Sequence, residues 1–359
     1  MGMGCEQKSP STASQKEKPR LSSTKELISQ LEKILLHQAA IEKDPTIQLH
    51  LIAALGPKKE SQVLAQDFLA KYLKKKKEGN REILFFPKTL DSLPVEPHSN
   101  QFLKVCLDAG FLTQWLNKNP TILSLLESAK WRFPQKPLKE AMDLGWSLYL
   151  FSALHLQKWK NMEGEQVTLK ELFQIALEWL EDLYDPIQKS EAKKKFFPVS
   201  PIHHWFCGGF HLLQGVLAAQ KAVKIRTNEE LKIQKILKLT LYRLEKEPGL
   251  YWAVIEKKKS KNKKLSLYLN LLKFYGHFFE VLGWAKDQGI WSPTSKDWKR
   301  LEKGFQVFQK ILKWFIEKGI YKDSSHLAKR WGQQFYRDLW NDTCHSLRGL
   351  RAWKKELKK

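Results

Sequence analysis

Four cysteines in 359 residues, Cys5, Cys106, Cys207 and Cys344, share no Cys-x-x-Cys spacing. That scatter excludes a zinc ribbon or finger and argues against a disulfide framework in a chain this long. Sustained apolar/polar alternation is missing, and no Asn-Gly or Asp-Gly turn stands between β-branched runs, so almost no strand is expected. Long apolar runs are missing too. The nearest, Leu265 to Ala285, carries Lys273, His277 and Glu280 in its middle, which is costly in hydrocarbon, and it reads as a buried helix of a soluble domain. No Gly-rich phosphate loop, Gly-x-Ser-x-Gly elbow, His-Glu-x-x-His pair or dinucleotide fingerprint occurs.

Acid is scarce relative to base: 38 Asp+Glu face 62 Lys+Arg, a formal charge of +24. A field of that sign favours an anionic polymer or a membrane surface as partner. Lysine outweighs arginine, and no helix-turn-helix, RNA-recognition or finger signature is present, so the charge suggests adhesion rather than sequence reading. The other excess is tryptophan, at 14 residues, which suits the cores of helical hairpins and also lines sugar and base-stacking sites.

The chain starts Met1-Gly2-Met3-Gly4-Cys5 and continues through a Ser/Lys/Pro-rich stretch with almost no large apolar residue, so residues 1–22 read as a disordered polar tether. A small residue before Cys5 followed by a polar tether resembles the lipid-modified start of a mature bacterial lipoprotein, although the apolar h-region is missing. Lipidation of Cys5 implies the bacterial envelope and membrane association; an unmodified Cys5 implies the cytoplasm. Myristoylation at Gly2 departs from its pattern because position 6 is Glu6.

Leu, Lys, Glu, Gln and Ala dominate the long segments, so the fold class is all-α. Ser23-Thr24-Lys25-Glu26 is a capping box ahead of Leu27, Ile28, Leu31, Ile34 and Leu35, and a second helix is expected from Ser61 to Lys77. Pro87, Pro94 and Pro97 then mark a boundary, giving N-terminal helices over 23–97 and a main helical domain over 98–359. Within the main domain Gly145, His211 and His277 stand 66 residues apart, and Ala153, Ala219 and Ala285 follow each by eight. Fresh helix starts come at Thr168, Thr227 and Thr294, each followed three residues on by Glu171, Glu230 or Asp297. A small, apolar helix followed by an amphipathic one makes a hairpin, and tandem hairpins stack as an α/α toroid-like or solenoid-like domain. An irregular multi-helix bundle is the alternative.

The densest reactive stretch is Ile202-His203-His204-Trp205-Phe206-Cys207-Gly208-Gly209-Phe210-His211. On one helix His203, Cys207 and His211 fall at i, i+4 and i+8, spread over roughly 12 Å, so at most two reach a single ion. Further ligands would come from His277, His155 or Cys344-His345. These residues point to an interior site of His203, Cys207, His211 and His277, with Gln214 and Glu280 as partners one turn on from His211 and His277 and with no metal or cofactor assigned. Gly208 and Gly209 suggest a close helix–helix approach. Glu178, Glu181, Asp182 and Asp185 form an acidic cluster beside Trp179 and Tyr184, which fits either a solvated face or the paired carboxylates of glycoside hydrolysis. Lys257, Lys258, Lys259, Lys261, Lys263 and Lys264 are the strongest candidate anion-binding run, with Lys74 to Lys77 another.

The leading expectation is a non-catalytic helical scaffold, tethered or peripheral to a membrane, that binds an anionic partner through lysine-rich surfaces. The rival is an α/α-toroid enzyme acting on a carbohydrate or other polymer, and the third reading is a non-specific nucleic-acid binder.

Overall fold

A computed structural model describes residues 23–134, 141–194, 201–204, 206–257, 261–322, 324–354 and 356, so Cys5 and the expected tether lie outside the described residues. The described chain is mostly helical. Its only strands among those residues form three separate two-stranded antiparallel pairs. No described helix is long and apolar enough to cross a membrane.

The helix starts follow local chemistry. Helix α1 (Thr24–Ile41) opens on a complete Ser23/Glu26 capping box, α8 (Leu169–Ala192) on Thr168/Glu171, and α13 (Ser295–Glu317) on Thr294/Asp297. The box expected at Thr227 and Glu230 is corrected. Thr227 is already helical in α11 (Thr227–Lys257), and it is Glu229 that reaches back to accept from the Arg226 N–H at 2.7 Å. The helix expected through Lys77 is also corrected: α3 (Lys59–Tyr72) stops, and Lys74–Glu78 pairs as strand β1 with β2 (Arg81–Phe85). Gly79-Asn80 makes the two-residue connection, with Gly79 at φ +60°. Its four exposed lysines carry no period-2 pattern, and a cross-strand pair, Lys75 to Glu82 at 2.6 Å, helps hold it.

Six helices touch in succession. Helix α2 (Pro45–Leu55) meets α4 (Gln101–Asp108), α4 meets α7 (Ala141–Ala153), α7 meets α10 (Phe210–Ala222), α10 meets α12 (Lys261–Asp287), α12 meets α15 (Gln333–Trp353), and α15 meets α2. These helices are apolar on several sides; residues 210–219 of α10 are all buried. The longer helices pack against these and against one another: α8 on α7 and α10, α11 on α8 and α12, α13 on α12 and α11. One hydrophobic core results, continuous from Leu27 to Trp353.

Close approach of two pairs depends on glycine. At the α7–α10 contact a Cβ on Gly215 would sit 2.5 Å from the Gly145 carbonyl oxygen, and one on Gly145 would sit 2.8 Å from the His211 carbonyl oxygen. At the α12–α15 contact Gly276 faces Ser346, and Gly349 faces the Gly276 carbonyl. Two of the three residues spaced at 66, Gly145 and His211, therefore meet directly across one helix pair.

Candidate functional site

The segment expected as one helix over 202–211 is broken. Helix α9 (Pro201–His204) ends, and Cys207, Gly208 and Gly209 turn through left-handed backbone at φ +60°, +56° and +75° before α10 begins. The two glycines thus serve a reversal of the backbone rather than helix–helix contact. A non-glycine residue in that region carries a conformational cost of about 1–2 kcal/mol, and such strain concentrates where a side chain has to be aimed. Cys207 is so aimed.

The turn swings His203 away and brings Cys207 to the first turn of α10. His203 Nε2 faces Glu247 Oε1 at 3.4 Å on α11. Cys207 Sγ, a ring nitrogen of His211 and a ring nitrogen of His277 lie within 4.8 Å of one another. His211 and His277 are buried, with ring centroids 5.2 Å apart. His277 Nδ1 lies 2.9 Å from the Lys273 carbonyl oxygen; a carbonyl only accepts, so Nδ1 carries the proton and donates, and Nε2 keeps a lone pair. Neither His277 Nε2 nor His211 Nδ1 has a hydrogen-bond partner among the described residues. A ring nitrogen freed by a backbone hydrogen bond to its twin is the second-shell pattern of a metal-ligating histidine. Glu280, expected to serve His277, is placed otherwise: His277 turns to the Lys273 carbonyl and Glu280 to α15, while Gln214 is buried on α10 with its Nε2 unpartnered among the described residues.

Beside this group stands His345 on α15, its ring 3.8 Å from His277 and 5.4 Å from His211. Its Nδ1 bonds Glu280 Oε2. Arg348 joins Glu280 Oε1 at 2.7 Å to Asp108 Oδ2 at 2.7 Å, and Lys104 closes the chain on Asp108 at 2.6 Å. Lys104 Nζ also sits 4.5 Å from the Trp146 ring centre, and the Trp146 ring lies 4.6 Å from that of His211, tilted by 46°. His50 of α2 meets His345 at 5.1 Å. The helices α2, α4, α7, α10, α12 and α15 therefore each send a polar or aromatic side chain to one interior.

Burial holds His211, His277 and His345 well below the ordinary imidazole range, with neighbouring imidazoles adding to the effect, and it brings His50 down to about 4. Burial likewise pushes the Cys207 thiol up, against the opposing charge of Lys273. The folded metal-free protein thus presents neutral imidazoles and a protonated thiol. Unfolded histidines bind protons near pH 6.5 and below, while these do not, so the stability they lend is complete above that pH and is lost as pH falls through their folded values. The urea midpoint of metal-free protein should fall steeply between about pH 6.5 and pH 4; a flat midpoint across that window would contradict the burial of neutral imidazoles. Lys104, Asp108, Glu280 and Arg348 face the same interior and contribute their own charges to the profile.

Cys207 also lines a cavity of about 240 Å³ with His203, Gly208, Arg243, Glu247 and Lys273, so it connects that cavity to the histidine pair. Arg243 is wholly buried, its Nε donating to Glu247 at 2.8 Å and its Nη1 to the Gly208 carbonyl at 2.9 Å. The remaining sequence candidates lie apart from this centre. His155 is exposed beyond α7, and Cys344 is buried on α15 outside the ligand group. Glu178 and Asp182 are exposed on α8, while Glu181 pairs with Lys232 at 2.6 Å and Asp185 with Lys189 at 2.6 Å. Lys257 is exposed at the end of α11 and Lys264 half-exposed on α12. Lys258 and Lys259 lie outside the described residues, as do the side chains of Lys261 and Lys263. Arg243, Glu247, Lys104, Asp108 and Arg348 were not singled out in the sequence. The local signals were two i,i+4 pairs of opposite charge, Lys104 with Asp108 and Arg243 with Glu247.

No family model, no curated protein and no solved structure matches this chain.

Proposed function

We propose that this chain is a metal-dependent enzyme built as an α/α toroid, with Cys207, His211 and His277 as the protein ligands of one zinc ion. The toroid reading is supported by the succession of α2, α4, α7, α10, α12 and α15, each touching the next and the last returning to the first. Under it, α8, α11 and α13 form part of an outer layer and the polar interior is the axis.

The observation that carries the proposal is the group of one sulfur and two imidazole nitrogens within 4.8 Å, from two buried histidines and a half-buried cysteine, with one ring nitrogen of each histidine unpartnered among the described residues. Thiolate and imidazole are zinc's preferred donors, and tetrahedral ligands lie about 3.4 Å apart, so a shift on the order of 1 Å gathers them. Three protein ligands leave a fourth position for water, the pattern of a catalytic rather than a structural site. Water held there would ionise near neutrality, which supplies hydrolysis or hydration chemistry. A cavity of about 240 Å³ beside Cys207 admits a small molecule and not a polymer chain. The acidic cluster weighed for glycoside hydrolysis is exposed at Glu178 and Asp182 and paired with lysines at Glu181 and Asp185, which favours the small-molecule reading.

An exchangeable fourth position is testable without knowing the substrate. Cobalt substituted for zinc should give the intense visible bands of a four-coordinate ion, and azide should perturb them by entering the open position. A cobalt spectrum insensitive to azide would indicate a closed, structural site and overturn the enzymatic reading.

A further inference from the structure

We propose that the cavity beside Cys207 is an oxyanion-binding chamber whose anchor is the Nη2 edge of Arg243, so that the substrate of this centre is a small molecule bearing a carboxylate or phosphate. This assignment rests on the reading of the cavity as the chamber that serves the zinc position.

The guanidinium of Arg243 has five N–H donors in a fixed plane. Three directions are used: Nε to Glu247 at 2.8 Å, and Nη1 to the Gly208 carbonyl at 2.9 Å and to the Tyr184 hydroxyl at 3.2 Å. Nη2 is buried and has no hydrogen-bond partner among the described residues. The side chain is 0% exposed, its plane lies 4.8 Å from the Phe210 ring centre, and it lines the cavity. A fully buried cationic donor left unsatisfied is expensive, and an oxyanion satisfies it with a charge-assisted bond.

Gly208 keeps that edge open. A Cβ at this position would stand 2.9 Å from Nη2, so any side chain there would cover the donor. The left-handed turn that aims Cys207 at the histidines therefore also leaves Arg243 uncovered toward the cavity. Across the cavity Lys273 supplies a second cation, itself 3.7 Å from Asp338. The lining carboxylate, Glu247, is already held by Arg243 and by His203 at 3.4 Å, so it does not leave the chamber anionic. Asn270 and Tyr251 complete the wall with neutral hydrogen-bonding groups. At roughly 30 Å³ per water, a cavity of 240 Å³ has room for about eight, which is the scale of a small organic anion.

The test uses the full chain loaded with zinc, titrated calorimetrically with inorganic phosphate and, separately, with acetate against a chloride background of equal ionic strength. At least one of the two should bind saturably at one site per chain, and the preferred one tells phosphate from carboxylate. Lys273→Gln, whose side chain is 26% exposed in the native protein, should weaken that binding about tenfold or more while zinc content is unchanged. Gly208→Ala should weaken it likewise, compared at equal zinc loading because Gly208 also shapes the turn that carries Cys207. Absence of saturable binding by either anion, or binding of equal strength in the variants, overturns the assignment. Loss of zinc in the untitrated native protein would instead strike the metal reading, so the two failures are distinguishable.

Discussion

His277→Ala should lower zinc affinity by at least about a hundredfold, since even second-shell changes at such centres cost 10- to 100-fold and this removes a ligand. One hydrogen bond sets the His277 ring. The Lys273 carbonyl, one turn before His277 on α12, accepts from Nδ1 and so fixes both the tautomer and the ring direction. Nε2 then has no hydrogen-bond partner among the described residues, and a ring nitrogen of His277 falls within 4.8 Å of donor atoms on Cys207 and His211. His345→Gln is the control. That ring lies only 3.8 Å from His277, but its Nδ1 is committed to Glu280, and among the described residues it is not part of the three-atom group. Zinc should therefore survive His345→Gln. Competition with a chromophoric chelator measures both variants; equal loss in the two would move the centre toward α15 and alter the ligand set.

Arg348→Met should be the most destabilising single change in the interior, at about 3–5 kcal/mol in a urea titration. Arg348 bridges two carboxylates, Asp108 at 2.7 Å and Glu280 at 2.7 Å, whose side chains are 1% and 3% exposed. Methionine fills most of the volume and supplies no charge. Both carboxylates then remain buried, and Lys104 alone is left to Asp108 at 2.6 Å. Burying an uncompensated charge costs more than the pair itself contributes, which is why breaking such a bridge is worse than never having it. A loss below about 1 kcal/mol would show that water reaches this network and that the interior is more open than its geometry implies.

Much of this interior was legible before the fold, but not its chemistry. Apolar patterning marked α7, α10 and α12, the helices that carry Gly145, His211 and His277, as buried on several sides. The capping boxes at Ser23, Thr168 and Thr294 placed three helix starts, because that chemistry is wholly local. Periodicity failed at Cys207, where a helical reading stacks His203, Cys207 and His211 on one face. Consecutive left-handed residues at 207–209 are a backbone choice that Gly-Gly permits but does not announce. The network of Lys104, Asp108, Glu280 and Arg348 failed for another reason: its members sit on three helices far apart in sequence, and only packing joins them. The hairpin at 74–85 was hidden by lysines, whose side chains carry no alternation, although Gly79-Asn80 was a turn signal.

The central claim is that Cys207, His211 and His277 hold a metal. Elemental analysis of the full chain, purified without added metal or chelator, tests it most directly when run beside a Cys207→Ala, His277→Ala double variant. The account predicts close to one zinc per native chain and almost none in the double variant, with both proteins folded by circular dichroism. Native protein without zinc that also takes up none at neutral pH, or a double variant that retains its full complement, would contradict it.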